Sequence, residues 1–292
     1  MKIAIYGRTF NFDFIKYIQQ VFDILKDEGA VVAIYKPFLR FIDNFQQVDH
    51  EKFVVFENEG DLDPDISFIV SIGGDGTFLE AIPYALNFKV PLIGLNSGRL
   101  GFLANISKEE IHSAFEAIFS KNYQIEYRTL LKLLTPDICV KELKYALNEV
   151  TVQKKGSSMI TIDAYLNEEY LNTYFTDGLI VSTPTGSTAY SISVGGPIVM
   201  PGTNNLIIAP IASHNLTVRP IIIHDDLLIT LRATSRQKQI QITADNKIVE
   251  INQPVEIKIG TADFKLQMLK LPNNSFYATI RNKLMWGADK RN

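Results

Sequence analysis

Gly73-Gly74-Asp75-Gly76-Thr77 is a run whose residue types can handle a phosphate. It follows Ile-Ser-Phe-Ile-Val-Ser-Ile at residues 66–72, which reads as a buried strand, and precedes Phe-Leu-Glu-Ala-Ile at residues 78–82, which reads as the first turns of a helix. A glycine-rich turn between strand and helix points backbone N–H groups at an anion, and the helix dipole favours negative charge there. A carboxylate in such a turn repels phosphate, unless it takes a proton from a hydroxyl or meets the phosphate through a metal. The pattern therefore points to phosphoryl transfer. Asp75 is the candidate base, and Gly73, Gly74, Gly76 and Thr77 are the candidate phosphate-binding residues. The same five residues also suit an ordinary turn with aspartate as a helix cap, so the rest of the chain must decide.

Two further groups carry chemistry. Thr176-Asp177-Gly178 precedes a strand-like segment, and Pro184-Thr185-Gly186-Ser187-Thr188-Ala189-Tyr190-Ser191 gathers hydroxyls and small residues where a helix starts. The plain reading is a helix capped by Thr185 or Ser187. The functional one is a surface where a sugar and a carboxamide hydrogen-bond close to backbone. Asn148-Glu149 lies in a strand-like segment, where neighbouring residues face opposite sides, so at most one of the pair points into a core.

These residues need elements to hold them. The first hundred residues alternate strand and helix signals. Residues 2–6, 31–35, 66–72 and 90–95 read as strands, and Phe14, Tyr17, Ile18, Val21, Phe22 and Leu25 recur at helical spacing before Gly29. This rhythm predicts a Rossmann-like parallel sheet with helices on both faces, which places the Gly73 turn at the carboxyl end of a strand, where open α/β sheets bind ligands. Residues 96–103, with two glycines, read as the link between domains. Ser107 and Glu110 have capping-box spacing ahead of a short helix reaching about Phe119. From about residue 123, strand-like segments at 143–153, 159–166, 178–182, 227–232, 240–243, 255–259 and 264–269 predict a mainly antiparallel β-sandwich. Phe276, Ile280 and Leu284 predict a final helix. The expected division is an α/β domain over 1–104, rejoined by a returning segment at 270–292, and a β-sandwich domain over 105–269.

At 292 residues the chain is long enough for two domains. A 46% hydrophobic and 21% charged composition is that of a globular protein with a sizeable core. A net charge of -3, with Lys and Arg spread along the chain, argues against nucleic acid as a main partner. The single cysteine, Cys139, sits in an apolar run and reads as a buried thiol. No stretch approaches the roughly 20 apolar residues of a membrane span. No signal peptide is evident, so a cytoplasmic protein is expected.

GGDGT at Gly73, NSGRLGFLA at Asn96, NE at Asn148 and TDGLIVSTPTGSTAYSISVGGP at Thr176 occur in this order, and together they resemble the NAD kinase family closely. The motifs span Gly73 to Pro197, and length and layout extend the resemblance to most of the chain. It implies transfer of a phosphoryl group from ATP, or from polyphosphate, to the 2′-hydroxyl of the adenosine ribose of NAD, giving NADP, with a divalent metal (magnesium or manganese). It implies an α/β domain joined to a β-sandwich, with NAD held in the cleft between them. It also implies a homodimer or homotetramer in which a neighbouring subunit helps build the NAD site.

Carried over residue by residue, Asp75 matches the family base, and Gly73, Gly74 and Gly76 bring backbone to phosphate. Phe102 lines the adenosine side. Asn148 and Glu149 match the pair on the ribose and phosphate region, and Asp177 matches the residue at the nicotinamide end. Thr188, Ala189, Tyr190 and Ser191 match the NAD-contacting helix start. Asp245 falls on a family acidic position, followed by Asn246 where the family pattern is often Asp-Gly.

Lipid kinases of the diacylglycerol type share GGDGT, and a GGDGS turn appears in phosphofructokinases. The GSTAYSISVGGP segment separates this chain from both. A non-catalytic NAD-binding sensor on the same fold would keep the binding residues and lose the base. No GxxxxGK[ST] and no complete GxGxxG is present, and the four histidines lack HExxH spacing, which disfavours P-loop enzymes, dehydrogenases and zinc hydrolases. Arg99 is a minor candidate for a catalytic cation.

Overall fold

Short apolar runs make the strands β1 (Lys2–Gly7), β2 (Val31–Tyr35), β3 (Phe53–Phe56), β4 (Phe68–Gly73) and β5 (Leu92–Asn96), and the alternating Gln-Ile-Glu-Tyr-Arg makes β6 (Gln124–Arg128). Between them lie the helices α1 (Ile15–Asp27), α2 (Lys36–Asp43), α3 (Asp75–Phe88) and α4 (Ile111–Phe119). The structure, a computed structural model, describes residues 1–45, 53–98, 100–135, 143–252, 254–272 and 274–287. Arg99 and Cys139 lie outside the described residues.

α1 forms because Ile18, Val21 and Leu25 fall on one face at helical spacing, and all three are buried. Gly29, with φ +61, ends it in the left-handed conformation glycine adopts without strain. α1, α2 and α4 share one core cluster with Ile3, Ile5, Ile34, Val70, Ile72, Ile93 and Leu95. Residues between these on the strands point to the other face, where Phe78 of α3 lies against Gly94. Helices therefore cover both faces of the sheet.

The middle of the chain is antiparallel. Its strands are β7 (Leu131–Leu133), β8 (Tyr145–Ala146), β9 (Glu149–Lys154), β10 (Ile160–Leu166), β11 (Glu169–Thr176) and β12 (Gly178–Ser182). A one-turn helix α5 (Tyr190–Ser193) follows, and then β13 (Asn205–Ile211), β14 (Ile221–His224), β15 (Ile229–Ser235), β16 (Gln239–Ala244), β17 (Lys247–Asn252) and β18 (Val255–Thr261). They form two six-stranded sheets, in the orders β11-β10-β15-β18-β7-β8 and β14-β13-β12-β9-β16-β17. Alternate residues of both sheets, such as Ile160, Ile162, Leu231 and Ile257 from one and Val150, Val152, Leu179 and Ile242 from the other, meet in one core cluster. This is a sandwich, and its burial follows from the period-two pattern of the strands.

The chain then returns to the first sheet with β19 (Leu266–Lys270) and closes with α6 (Phe276–Leu284). The sheet order is β3-β2-β1-β4-β5-β19-β6, with parallel pairing between β3 and β2, β2 and β1, β1 and β4, β4 and β5, and β5 and β19. Strand order reverses between β1 and β4, so the turn after β4 stands at the switch point of a doubly wound sheet.

The compact units are Met1–Tyr127 with Leu266–Asn292, and Arg128–Lys265. The division therefore falls beyond the expected boundary at 104. The reason is that α4 packs in the first core through Ile111, Phe115 and Ile118, and β6 joins the first sheet. Residues 96–103, expected as a link, lie inside the first unit, tied down by Asn96 N–H to the Ile106 carbonyl (2.8 Å) and Ile106 N–H to the Gly94 carbonyl (3.1 Å). Residues 266–269, expected in the sandwich, likewise belong to the parallel sheet. Among the described residues no helix is long and apolar enough to cross a membrane.

Candidate active site

In the first unit the site is built around Asp75. Gly74 stands before α3 with φ -98 and ψ -171 and gives the helix no side-chain cap. Asp75, in the first turn, does not cap its own helix either. Its carboxylate turns to the loop after β5. Oδ1 accepts the N–H groups of Leu103 (3.1 Å) and Ala104 (3.0 Å), and Oδ2 accepts that of Phe102 (3.0 Å). Lys283 Nζ, in the last turn of α6, lies 3.6 Å from Oδ2. The loop keeps its shape through Gly101 N–H to the Ala104 carbonyl (3.0 Å), and the buried Asn96 side chain donates to the Ala104 carbonyl (3.3 Å) and accepts from Gly98 N–H (2.7 Å).

The glycines of the turn differ in what they permit. A Cβ on Gly73 would lie 2.3 Å from Thr77 Oγ1, so that glycine serves the packing of the turn. Beside Gly74 and Gly76 there is open space, and neither has a left-handed φ. Nothing inside the protein requires glycine at these two positions. An uncapped helix N-terminus with open backbone beside it is an anion-binding arrangement.

In the second unit Asn148, Glu149, Tyr190, Ser191 and Asp245 come together. Asp245 lies in the turn between β16 and β17 with φ 53. Its carboxylate accepts the N–H groups of Leu147 (2.8 Å), Asn148 (2.7 Å) and Glu149 (3.3 Å). These bonds break the strand expected over 143–153 into β8 and β9 and hold Glu149 at the start of β9. Glu149 is buried, accepts a hydrogen bond from the Tyr190 backbone, and leaves Oε2 buried with no partner. Its burial, reinforced by the negative charge of Asp245, pushes its pKa up to about 8. Burial also raises Asp245, while the three N–H donors pull it back. The Asp245 carboxylate is thus the better stabilised anion, and Glu149 is the member of the pair that carries a proton near neutral pH.

The segment after β12 is a 3-10 turn, Thr185–Thr188, followed by α5, and no side chain caps either. Ser187 instead bonds the Val199 backbone, donating to its carbonyl (3.1 Å) and accepting from its N–H (3.0 Å). This replaces the expected capping role of Thr185 or Ser187. Gly186 is needed because a Cβ there would lie 2.1 Å from the Asn148 carbonyl oxygen. Thr188 and Ala189 are half-buried, Tyr190 is exposed, and Ser191 is buried with its Oγ unpaired.

Asp177 is set apart from this group. Glu149 pairs with Ser182 and Gln153 with Gly178, so Asp177 stands at the opposite end of the β9–β12 pair. Its carboxylate meets Lys154 Nζ at 2.6 Å.

The family comparisons agree with this architecture. Residues 11–123 match the model of the ATP-NAD kinase N-terminal domain, and residues 147–271 that of the ATP-NAD kinase C-terminal domain. The chain belongs to the NAD kinase family. It is 44% identical to the NAD kinase of Flavobacterium johnsoniae over the full length of both chains, and 40% identical to that of Bacteroides fragilis over the same extent. Among solved structures, an NAD kinase from Archaeoglobus fulgidus in complex with ATP superposes with a TM-score of 0.71 at 25% identity, covering 98% of each chain. Yeast NADH kinase complexed with NADH shares the fold, with a TM-score of 0.85 at 20% identity over 99% of this chain and 88% of the other.

Two residues that lie against Asp75, Lys283 and Gly101, escape sequence reasoning. Lys283 carried no motif, since a lysine in the last turn of a helix is ordinary. Gly101 was visible as a loop glycine, but its packing against Asp75 was not.

Proposed function

We propose that this enzyme transfers the γ-phosphoryl group of ATP to the 2′-hydroxyl of the adenosine ribose of NAD, giving NADP, with Asp75 as the base. The observation that carries the reading is the pairing of open glycine backbone at the α3 N-terminus with a carboxylate held beside it by three backbone N–H groups. Phosphoryl transfer asks the protein mainly for positioning and charge stabilisation, and this arrangement supplies both. Oδ1 is filled by two donors, so Oδ2 is the oxygen left to take the hydroxyl proton. A positioned base contributes roughly 10²–10⁴-fold.

The unpaired Glu149 Oε2 and Ser191 Oγ, beside Asn148 and Tyr190, support a hydroxyl-rich ligand in the second unit, since buried polar atoms are ordinarily paired. We assign Asn148, Glu149, Thr188, Ala189, Tyr190, Ser191 and Asp245 to NAD binding or to its support, and Phe102 to the adenosine side. Asp177 is assigned to the nicotinamide end. Its place at the far end of the β9–β12 pair fits an extended dinucleotide, or a site completed by a second copy of the chain in a dimer or tetramer. Light scattering of the purified protein distinguishes the monomer from both assemblies.

ATP as donor is supported by the ATP complex of the Archaeoglobus fulgidus relative; polyphosphate is the other candidate. The divalent ion would come with the donor. Among the described residues no three His, Cys, Asp or Glu side chains cluster as a metal cage. That fits magnesium or manganese held mainly by phosphate oxygens and water, where it would offset phosphate charge.

The test is NADP formation from NAD with ATP or polyphosphate and magnesium, comparing the native chain with Asp75→Asn. Asparagine also puts an NH2 group where one carboxylate oxygen accepts backbone N–H, so thermal stability must be followed alongside. A drop of orders of magnitude in a folded variant that still binds NAD supports the assignment. Undiminished activity removes Asp75 as base. Absence of NADP with either donor overturns the kinase reading and promotes a non-catalytic NAD-binding protein.

A further inference from the structure

The geometry points to Lys283 of the C-terminal helix as a positioning residue for phosphoryl transfer. This rests on the reading of Asp75 as the base. The Lys283 ammonium lies 3.6 Å from Asp75 Oδ2 and 4.5 Å from the centroid of the Phe102 ring. The Phe102 N–H donates to that same Oδ2 at 3.0 Å. One side chain therefore touches both the carboxylate and the aromatic residue whose backbone orients it.

Fold stability does not account for the contact. The Lys283 and Asp75 side chains are each about one-third exposed, at 34% and 32%. An ion pair at such exposure contributes little to stability, and its lysine must hold a long flexible stem in place. α6 already has its anchor in the buried Ile280 and its N-cap in Ser275. A last-turn lysine serving only the helix dipole has no reason to sit over a ring and against a carboxylate.

The chemistry explains the placement. At 3.6 Å the ammonium is beyond hydrogen-bond range, so it holds Oδ2 by charge while leaving a lone pair for an incoming hydroxyl hydrogen. Its position over the ring keeps Phe102 against the loop whose N–H groups fix the carboxylate. A ribose hydroxyl approaching Oδ2 thus meets an acceptor already aimed.

Lys283→Met and Lys283→Arg, made in the full chain, test this. The methionine keeps the stem and removes the charge. For Lys283→Met the expected result is a melting temperature close to native, a kcat lower by about tenfold to a hundredfold, and a KM for NAD changed by about twofold or less. Lys283→Arg is expected to retain most of the activity, and Lys283→Ala to regain part of its kcat with added propylammonium, which a purely structural lysine would not allow. Native kcat in Lys283→Met overturns the inference. So does a loss that follows the melting temperature and is rescued by neither arginine nor propylammonium. If the native chain forms no NADP, the kinase reading fails first. Amide exchange at Phe102, Leu103 and Ala104 then decides the positioning claim: faster exchange in Lys283→Met sustains it, and unchanged exchange overturns it.

Discussion

Gly101 and Asp75 are fitted to each other: a Cβ on Gly101 would lie 1.9 Å from Asp75 Oδ1 and 3.1 Å from the Ala104 carbonyl oxygen. The carboxylate occupies the volume that any other residue at 101 would claim. Gly101→Ala must therefore displace either the loop or the carboxylate. The expected cost is about 1–3 kcal/mol of stability, as for overpacking elsewhere. NADP formation should fall by tenfold or more, since small misplacements of reacting groups cost up to about 10²-fold. Gly74→Ala is the contrasting variant. Its Cβ meets nothing inside the protein, so stability should change by about 1 kcal/mol or less. The KM for the phosphoryl donor should rise, because the methyl group occupies the space assigned to phosphate. Urea titration and initial-rate kinetics on the two variants separate internal packing from ligand contact.

The buried Glu149 makes a pH prediction with a definite sign. Its pKa rises from 4.5 to about 8 on folding, through burial first and the Asp245 charge second. A group whose folded pKa is raised contributes stability that is present below the unfolded value and lost as pH rises through the folded one. Ligand-free stability should therefore fall between about pH 4.5 and pH 8, by on the order of 2–4 kcal/mol. The raised Asp245 acts in the same direction in the lower part of that window. The exposed carboxylates with lowered values, Asp61, Asp63 and Glu256, titrate below it and do not mask the slope. In Glu149→Gln the slope should largely disappear, and the variant should be more stable than native at pH 8 while binding NAD less tightly. Chemical denaturation at pH 5, 6, 7 and 8 reads this directly. A native stability that does not decline over that range counts against the buried protonated carboxyl.

Both units were legible wherever local pattern and tertiary role agree. The spacing of Ile18, Val21 and Leu25 gave α1, and the apolar runs ending at Gly7 and Gly73 gave two central strands of the parallel sheet. The strand β3 went unread because its apolar run, Phe-Val-Val-Phe, is only four residues long and has no period-two alternation: it ends the sheet, with Val54 and Val55 exposed. β14 and β17 are also outer strands, with Ile221, Ile222 and Ile248 exposed. The allegiance of β19 was invisible for a different reason. Leu266, Met268 and Leu269 suit a strand in either unit, and only the pairing of Met268 with Leu92 decides between them. The site followed the same rule. Motif residues were found by type and order, whereas Lys283 enters through a contact more than two hundred positions away in sequence.

The hairpin at Asp245-Asn246 gives a last test, because here the chain has asparagine where its resemblance to the family leads us to expect glycine. Ala244 pairs with Lys247, so Asp245 and Asn246 are the two loop residues. Such loops need left-handed backbone at one or both positions, and in this hairpin it falls on Asp245, at φ 53. Aspartate tolerates that conformation better than most residues. Asn246 is not among the residues with positive φ, so glycine there meets no backbone need. Asn246→Gly should accordingly shift stability by less than about 1 kcal/mol and leave NADP formation intact. Asp245→Gly relieves the backbone but removes the acceptor of three N–H groups from residues 147–149, and should cost about 2–4 kcal/mol. It should also weaken NAD binding, because Glu149 loses the carboxylate that fixes the start of β9. Asp245→Asn keeps one acceptor oxygen and should fall between the two. Urea titration and NAD binding measured on all three variants must give that order if Asp245 works by holding the 147–149 backbone; an Asp245→Gly protein as stable as native would show that it does not.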